Sequence, residues 1–195
     1  QELPPGSLLL ADWEAVEPLR YLQTIEGVRP DIEVRTLNED VVRQDVDAAL
    51  GAGRAAFLLR ALPNLGLSQL PAGRLWHVTA APPQLAITTP SDARWADGIA
   101  LSGFTLPPGP YRPGEIVPLT LAWAAWQAPA QDYTLFVHLI GPDGTVWGQF
   151  DRAFSPPASP WRQVAPHPGL YGPTLRLAAP PGRYRVLLGW YSYPS

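Results

Sequence analysis

Asp12, Trp13 and Glu14 are the residues in the first half of the chain whose types and position suggest chemistry. They directly follow the apolar run 8–11, which is typical of a buried parallel strand, and they precede a stretch with helical spacing. Open α/β sheets bind ligands at the carboxyl ends of their strands, so the triplet is a candidate binding site. The structural alternative is that Asp12 caps the helix and Trp13 packs on the sheet edge.

His138 and Asp151 form a second candidate pair, on either side of the turn sequence GPDG. An imidazole beside a carboxylate could act as an acid/base pair or bind a cation. No third candidate ligand lies nearby in the sequence, so we predict no catalytic residue and no metal site. His138 shares a strand face with Phe136 and Ile140, and a hydrogen-bonded interior histidine is the alternative.

Tryptophan side chains are the third group of candidates. The chain contains 8 Trp and 7 Tyr, and aromatic faces can stack on the apolar faces of sugar rings. Trp126, Trp147 and Trp161 are candidate platforms because they lie near turns or off the expected core faces. Burial in a core or between domains is the alternative for each of them. Trp123 and Trp190 follow the inward-facing period and are predicted to be core residues.

Residues 1–80 have the pattern of a small α/β domain. Short apolar strands near 8–11, 32–37, 56–59 and 75–78 alternate with two stretches of helical spacing, and Pro18 is expected in the first turn of the first helix. We therefore predict a small Rossmann-like α/β layer. No glycine fingerprint follows the first strand, and the glycines at 51–53 end a helix, so no cofactor is expected.

The hydrophobic period changes near residue 90. Apolar residues then alternate with others along 117–123, 133–139 and 184–190. Further strands are predicted at 99–101, over the sequence TVWGQFD after the GPDG turn, and at Leu175 and Leu177. Turn sequences such as PPG and GPDG separate these segments. We predict a linker over 81–96 and an antiparallel β-sandwich of immunoglobulin-like or jelly-roll type over 97–195. The predicted fold class is thus α/β plus all-β.

Composition narrows the class of protein further. A net charge of −3 with scattered Arg lacks the clustered basic face of a nucleic-acid-binding protein, so we expect no DNA or RNA partner. The absence of Cys excludes disulfides and cysteine-bound metals. The longest apolar stretch, near 121–126, is far shorter than the ~20 residues that cross a bilayer.

The N-terminal segment PPGSLLLADWEAVEPLRYLQTIEGVRPDIEV resembles the start of the soluble C-terminal region of certain bacterial multi-spanning membrane proteins. These proteins are related to the protein O-mannosyltransferases, which are glycosyltransferases of the GT-C class. The matching positions are Asp12, Pro18, Leu19, Tyr21, Gln23, Glu26, Gly27, Arg29, Pro30 and Asp31. The class is expected to hold its catalytic acid in a loop between early membrane helices, which this chain does not contain, so the resemblance transfers no catalytic residue.

The second half resembles β-sandwich modules attached to bacterial membrane glycosyltransferase-like proteins and, more loosely, carbohydrate-binding modules. The matching text includes DYTLFVHLIGPDG and PPGRYRVLLGWY. Gly172 stands where an acidic residue would be expected before a strand, which argues against a ligand role for that loop.

Together these resemblances imply a non-catalytic, extracytoplasmic region of a membrane glycosyltransferase-like protein. Its role would be to bind or position carbohydrate or a polypeptide acceptor, and its partner would be the membrane-embedded portion of the parent protein. Two alternatives stay open. One is a free-standing enzyme with its site at Asp12, Trp13 and Glu14, and the other is a structural spacer or assembly module.

Overall fold

The computed structural model describes residues 3–95, 98–153, 158, 161 and 166–192. The chain divides into two compact units, Gln1–Pro83 and Gln84–Ser195. Residues 3–83 form β1 (Leu8–Ala11), α1 (Trp13–Thr24), β2 (Glu33–Thr36), α2 (Val42–Gly51), β3 (Ala56–Leu58), β4 (Ser68–Ala72) and β5 (Leu75–Thr79). The second unit contains β6 (Thr89–Arg94), β7 (Ile99–Thr105), β8 (Leu119–Ala125), β9 (Thr134–Ile140), β10 (Val146–Ala153), β11 (His167–Tyr171) and β12 (Arg185–Tyr191). Neither helix in the described parts of the chain is long and apolar enough to cross a membrane.

The first unit is built on one five-stranded sheet in the order β2-β1-β3-β5-β4. Strand β1 is buried along its whole length, as its apolar sequence predicted, and it runs parallel to β2 and β3. Leu9 and Phe57 pack with Leu19 of α1 on one side of the sheet. Strands β5 and β4 then continue the sheet in antiparallel fashion.

The prediction of a Rossmann-like α/β layer is wrong. Such a layer needs a mostly parallel sheet with a helix in each crossover, but the chain has only α1 and α2, of 12 and 10 residues, beside twelve strands in three sheets among its described residues. The reason lies after β3, where Pro63 and Gly66 interrupt the chain and no helix forms. The chain instead returns as the β4–β5 hairpin through a turn at Gly73, and the protein is almost entirely β.

Helix α1 begins at Trp13, directly after Asp12, so Pro18 lies inside the helix and not in its first turn as predicted. The C-terminal end of the helix is closed near Gly27. Gly27 adopts a positive φ of 67°, and the Val28 N–H donates a hydrogen bond to the Leu22 carbonyl at 3.0 Å. This is the closing arrangement that glycine permits at helix ends.

The loop after α1 is held by Arg29 and Asp31. Arg29 Nε and Nη2 donate to the two oxygens of the Asp31 carboxylate, each at 2.8 Å, and Nη2 also donates to the Leu3 carbonyl at 2.9 Å. Gln23 Nε2 donates to the carbonyls of Arg29 and Ile32. The residues that carry the family resemblance in this segment therefore have structural roles, because they tie the loop to α1 and to the N-terminal segment.

The second unit contains two antiparallel sheets that share one core. Their strand orders are β10-β9-β12 and β11-β8-β7-β6. Alternate residues of β8 and β9 enter the same buried cluster, which joins both sheets. Trp123 of β8, Trp190 of β12 and Trp95 form its aromatic centre, with Trp123 and Trp190 ring centroids 5.2 Å apart. Trp123 is thus a buried core residue, and the partly buried Trp190 packs against the same core, so both face inward as their spacing predicted.

Three strands, β4, β6 and β11, are not predicted from the sequence. Each is at the edge of its sheet, and they contain Pro71, Pro90 and Pro168, respectively. Proline is tolerated at sheet edges because an edge strand can leave one row of its hydrogen-bonding groups unpaired. Strand β6 lies within the segment 81–96 that was predicted as a linker.

The strand predicted at Leu175 and Leu177 does not form. Thr174 makes only an isolated bridge with Ile116, and the following residues turn. Leu175 is 6% exposed and belongs to a small buried cluster, whereas Leu177 is 74% exposed. The two leucines therefore do not share an inward face.

Leucine truncation tests this difference. We expect Leu175→Ala to lower the free energy of unfolding by about 2–5 kcal/mol, because it leaves a cavity in a packed cluster. Leu177→Ala should change it by no more than about 0.5 kcal/mol, as for most exposed positions. Urea unfolding of both variants measures the difference, and equal losses at the two positions would contradict the structure.

Acid unfolding tests the Arg29–Asp31 pair. The hydrogen bonds from Arg29 are the main reason that the pKa of Asp31 falls from 3.8 to about 2. A lowered carboxylate pKa stabilises the fold above the unfolded-state pKa, and this contribution is lost as the pH falls from about 4 to 2. We expect Asp31→Asn to be less stable at pH 7 and to lose less stability over that pH window. Unfolding free energies of the wild-type protein and of Asp31→Asn, measured between pH 6 and pH 2, test this expectation, and equal slopes for the two proteins would contradict it.

Candidate functional site

The three-stranded sheet of the second unit has an outer face that carries aromatic and polar side chains. Strand β9 lies in the middle, and its alternate residues Leu135, Val137 and Leu139 are buried in the core. Because successive side chains of a strand point to opposite faces, Phe136 and His138 lie on the other, partly exposed side. Gln149 and Leu187, which face His138 from the two neighbouring strands, are exposed.

Phe136 lies opposite Gly189 of β12 and leans over it. A Cβ atom at Gly189 would be 2.4 Å from Phe136 Cζ and 2.6 Å from Cε1, so no side chain could occupy that position without moving the ring. A glycine inside a strand often marks such a close approach. The His138 ring packs against Phe136 on the same face in a tilted arrangement, with 4.7 Å between ring centroids and an interplanar angle of 34°.

Asp151 of β10 faces Phe136 from the other side and adds a negative charge beside these rings. One of its oxygens lies 3.9 Å from His138 Nε2, and the other accepts a long hydrogen bond of 3.4 Å from the Tyr191 hydroxyl. We call Phe136, His138, Asp151 and Tyr191 the outer-face cluster. The structure thus brings together His138 and Asp151, which the sequence had paired, and adds two aromatic residues to them.

The geometry of the outer-face cluster suits recognition more than proton transfer. A separation of 3.9 Å is too long for a hydrogen bond between His138 and Asp151. Among the described residues, no group of three or more His, Asp or Glu side chains converges as a metal site would. What the cluster offers is an aromatic surface flanked by a carboxylate, an imidazole and a phenol. His138 is partly exposed on this face and is therefore not the interior histidine that we considered as its alternative.

The three tryptophans proposed as platforms occupy different environments. Trp161 is 4% exposed and packs in the core of the second unit, where its ring lies tilted against that of His167 with 5.0 Å between centroids. Its ring is therefore not available as a surface platform. Trp126 follows β8, is 36% exposed and donates its indole N–H to the Trp95 carbonyl at 3.2 Å. Trp126 keeps part of its ring accessible.

Trp147 braces the turn between β9 and β10. Its indole N–H donates to both oxygens of the Asp143 carboxylate, at 3.1 and 3.2 Å, and its ring fits against Gly141. The Thr145 backbone N–H and then the Trp147 indole lower the pKa of Asp143 by hydrogen bonding to its charged form. The partly buried ring of Trp147 therefore has a local structural role in the GPDG turn.

Asp12, Trp13 and Glu14 lie at the carboxyl end of β1, as expected. Asp12 occupies the N-cap position of α1 without making a side-chain cap, and instead accepts a hydrogen bond from Arg60 Nε at 3.1 Å. Arg60 also donates to Glu39 at 2.9 Å, so residues that follow β1, β2 and β3 meet through one arginine. Trp13 is 66% exposed and is not packed on the sheet edge. Asp12 and Glu39 thus converge on Arg60 and not on an open site.

A small cavity lies near this end of the sheet, lined by Glu39, Val42, Arg43 and the loop 62–65. Its volume is about 100 Å³, well below the ~300–1,000 Å³ of typical ligand pockets. None of Asp12, Trp13 and Glu14 lines it. This arrangement favours a role for Asp12 in joining the strand ends.

In comparisons with known proteins, no family model, no curated protein and no solved structure matches this chain. The function is therefore argued from the geometry of the two units.

Sequence reasoning missed Tyr191 and Gly189 as parts of the outer face. The available signal was the glycine in the strand sequence RVLLGWY, because an isolated glycine in a strand often marks a close approach of another group. Its partner Phe136 could not be identified without the strand register. The pairing of β12 with β9 supplies it.

A matched pair of glycine substitutions tests the packing of Phe136. Gly189→Ala should displace the Phe136 ring and lower the free energy of unfolding by about 1–3 kcal/mol, as overpacking does. Gly51→Ala at the end of α2 has no atom within 4 Å of the new Cβ and should not destabilise the chain. Thermal unfolding, together with the NMR shifts of the His138 ring protons, measures both effects. An unchanged His138 spectrum in Gly189→Ala would contradict the described contact.

Proposed function

We propose that the second unit is a non-catalytic carbohydrate-binding module whose binding surface is the outer-face cluster. The observation that carries this proposal is the partly exposed Phe136 ring leaning over Gly189, with Asp151 directly beside it. Aromatic rings contact the apolar faces of sugars, and neighbouring polar groups hydrogen-bond to hydroxyls. Asp151 accepts such bonds, while His138 and Gln149 can both donate and accept.

The shape of the surface supports a binding role over a catalytic one. The outer-face cluster lies on a sheet face, and glycoside hydrolysis would need two carboxyl groups about 5–9.5 Å apart across a cleft. Asp151 is the one carboxylate of the cluster. The partner expected from this chemistry is a carbohydrate chain or a glycosylated polypeptide acceptor lying across the sheet.

The proposal also includes the cellular location of the chain and the protein to which it belongs. The resemblance at residues 12–31 supports an extracytoplasmic position in a membrane glycosyltransferase-like protein, next to its membrane-embedded portion. The reading frame upstream of Gln1 tests this part independently. Membrane helices encoded there are expected, and a frame without them would count against the parent class while leaving the binding proposal intact.

The two alternatives differ in what they require. An enzyme centred on Asp12, Trp13 and Glu14 would need an open cleft there, but Asp12 is engaged by Arg60 and the neighbouring cavity is small. A spacer or assembly module would need no exposed aromatic surface at all. The outer-face cluster therefore favours binding over both alternatives.

Glycan-array binding by the complete chain tests the proposal. We expect Phe136→Ala to weaken binding about tenfold or more, because it removes the aromatic contact surface. Asp151→Asn should weaken it less and alter the preference among sugars. Trp126→Ala is the matched control, since it removes another partly exposed aromatic ring of the same unit, and it should leave affinity within about twofold.

Two outcomes would contradict the proposal. Binding that is lost in Trp126→Ala and kept in Phe136→Ala would move the site to Trp126. A folded wild-type chain that binds no glycan on the array would support the spacer function instead.

A further inference from the structure

Two loops of the second unit are built on the same short sequence, PPG-x-Tyr. The first spans Pro107–Tyr111 and the second spans Pro180–Tyr184. In each, the tyrosine hydroxyl donates a hydrogen bond to the carbonyl of the first proline, and both distances are 2.6 Å. This bond to the backbone four residues upstream is of the kind found in the tyrosine corners of β-sandwiches, and it fixes each loop on its own tyrosine.

A cavity of about 580 Å³ lies between these two loops. Its volume is within the ~300–1,000 Å³ of typical ligand pockets. The prolines of both loops and the two tyrosine rings form its walls, and its floor is formed by Val117, Leu139, Leu175, Ala179 and Val186. It uses no residue of the outer-face cluster.

The walls offer few hydrogen-bonding groups to a ligand. Prolines have no backbone N–H, and the two tyrosine hydroxyls are already used within their own loops. A sugar placed here would bury hydroxyls without partners, which is costly. The part of a ligand that enters the cavity should therefore be apolar.

Arg112 is the one charged residue among the described residues that line the cavity. Its backbone N–H donates to the Glu115 carboxylate at 2.9 Å, which holds this part of the loop. In the described parts of the chain, no carboxylate lies within ion-pair distance of its exposed guanidinium. An arginine beside an apolar cavity favours an anionic group at that position.

We propose that this cavity binds a single-chain amphiphile, with the apolar chain between the two PPG-x-Tyr loops and an anionic carboxylate or phosphate head at Arg112. The proposal is independent of carbohydrate binding at the outer-face cluster, since it rests on different residues. Such a ligand could come from solution as a monomer or from a membrane lipid, and both sources share this chemistry.

Chain-length dependence tests the apolar part of the proposal. The complete chain is titrated by calorimetry with octanoate, decanoate and dodecanoate below their micelle concentrations, and with the alcohols of equal length. Affinity should rise about fourfold for each added methylene until the cavity is filled. At equal length the carboxylate should bind about fivefold more tightly than the alcohol. Affinities that do not depend on chain length would overturn the proposal.

Two arginine variants test the head-group contact. Arg112→Gln should abolish the difference between carboxylate and alcohol but keep the dependence on chain length. Arg183→Gln changes an exposed arginine of the second loop that does not line the cavity, so it should keep both properties. An equal loss in the two variants would show only a general charge effect and would overturn the assignment of Arg112.

A cavity-filling variant tests the location. Ala179→Leu places a larger side chain in the cavity floor, and we expect it to weaken dodecanoate binding at least tenfold while glycan binding is kept. Its melting temperature shows whether it is folded, and Arg112→Gln keeps the test valid if it is not. Undiminished dodecanoate binding by a folded Ala179→Leu chain would overturn the site.

Co-sedimentation with vesicles of phosphatidylcholine, with and without one-fifth of an anionic single-chain lysophospholipid, distinguishes the two sources. Binding to anionic vesicles that is lost in Arg112→Gln would assign the ligand to a bilayer. Binding to free dodecanoate alone would assign it to solution. Failure to bind either one would reject the proposal.

Discussion

The central position of β9 in its sheet is the constraint on which the second unit depends. Strands β10 and β12 are hydrogen-bonded to its two sides, so its register is fixed from both directions. A shift by one residue would turn every side chain to the opposite face. It would place Phe136 and His138 in the core and expose Leu135 and Val137. The burial of the latter two residues therefore fixes where the outer-face cluster lies.

The second unit has two surfaces of different chemical character. The outer face of the three-stranded sheet carries aromatic rings together with polar side chains. Because this face is partly exposed, polar groups that a ligand does not contact can hydrogen-bond to water. The PPG-x-Tyr loops instead build an apolar cavity, because their prolines lack N–H groups and their tyrosines bond to their own loops. The two proposed ligands, a carbohydrate and an apolar chain, would therefore use different surfaces of the second unit.

Many charged side chains of the first unit form ion pairs with one another. Arg29 joins Asp31 to the N-terminal segment, and Arg60 joins Asp12 to Glu39 across the ends of three parallel strands. Ion pairs as exposed as these contribute little stability individually, but they connect the loops to neighbouring elements. Side chains that resemble parts of a site in the sequence are here connectors between elements.

The sequence by itself determined the inward and outward faces of β8 and β9 and the burial of β1, because period and apolar content are local properties of a strand. It also placed a helix end at the glycines of residues 51–53 and named His138 and Asp151 as a candidate pair. It could not identify β4, β6 and β11, since edge strands with Pro71, Pro90 and Pro168 obtain their order from a neighbouring strand and not from an apolar pattern of their own. Because β4 was missed, the sequence did not reveal that the first sheet continues in antiparallel fashion, and the α/β assignment was wrong.

Only the tertiary structure decided which residues complete the candidate sites. Gly189 and Tyr191 lie about fifty residues from Phe136 along the chain and come beside it through strand pairing alone. Leu175 and Leu177 show that the sequence also cannot decide whether a segment is extended. Residues two positions apart share a face only in an extended backbone, and the backbone turns at Leu177. Local sequence therefore sets the face of each strand, and long-range pairing sets which faces meet, since no local pattern encodes the register between distant segments.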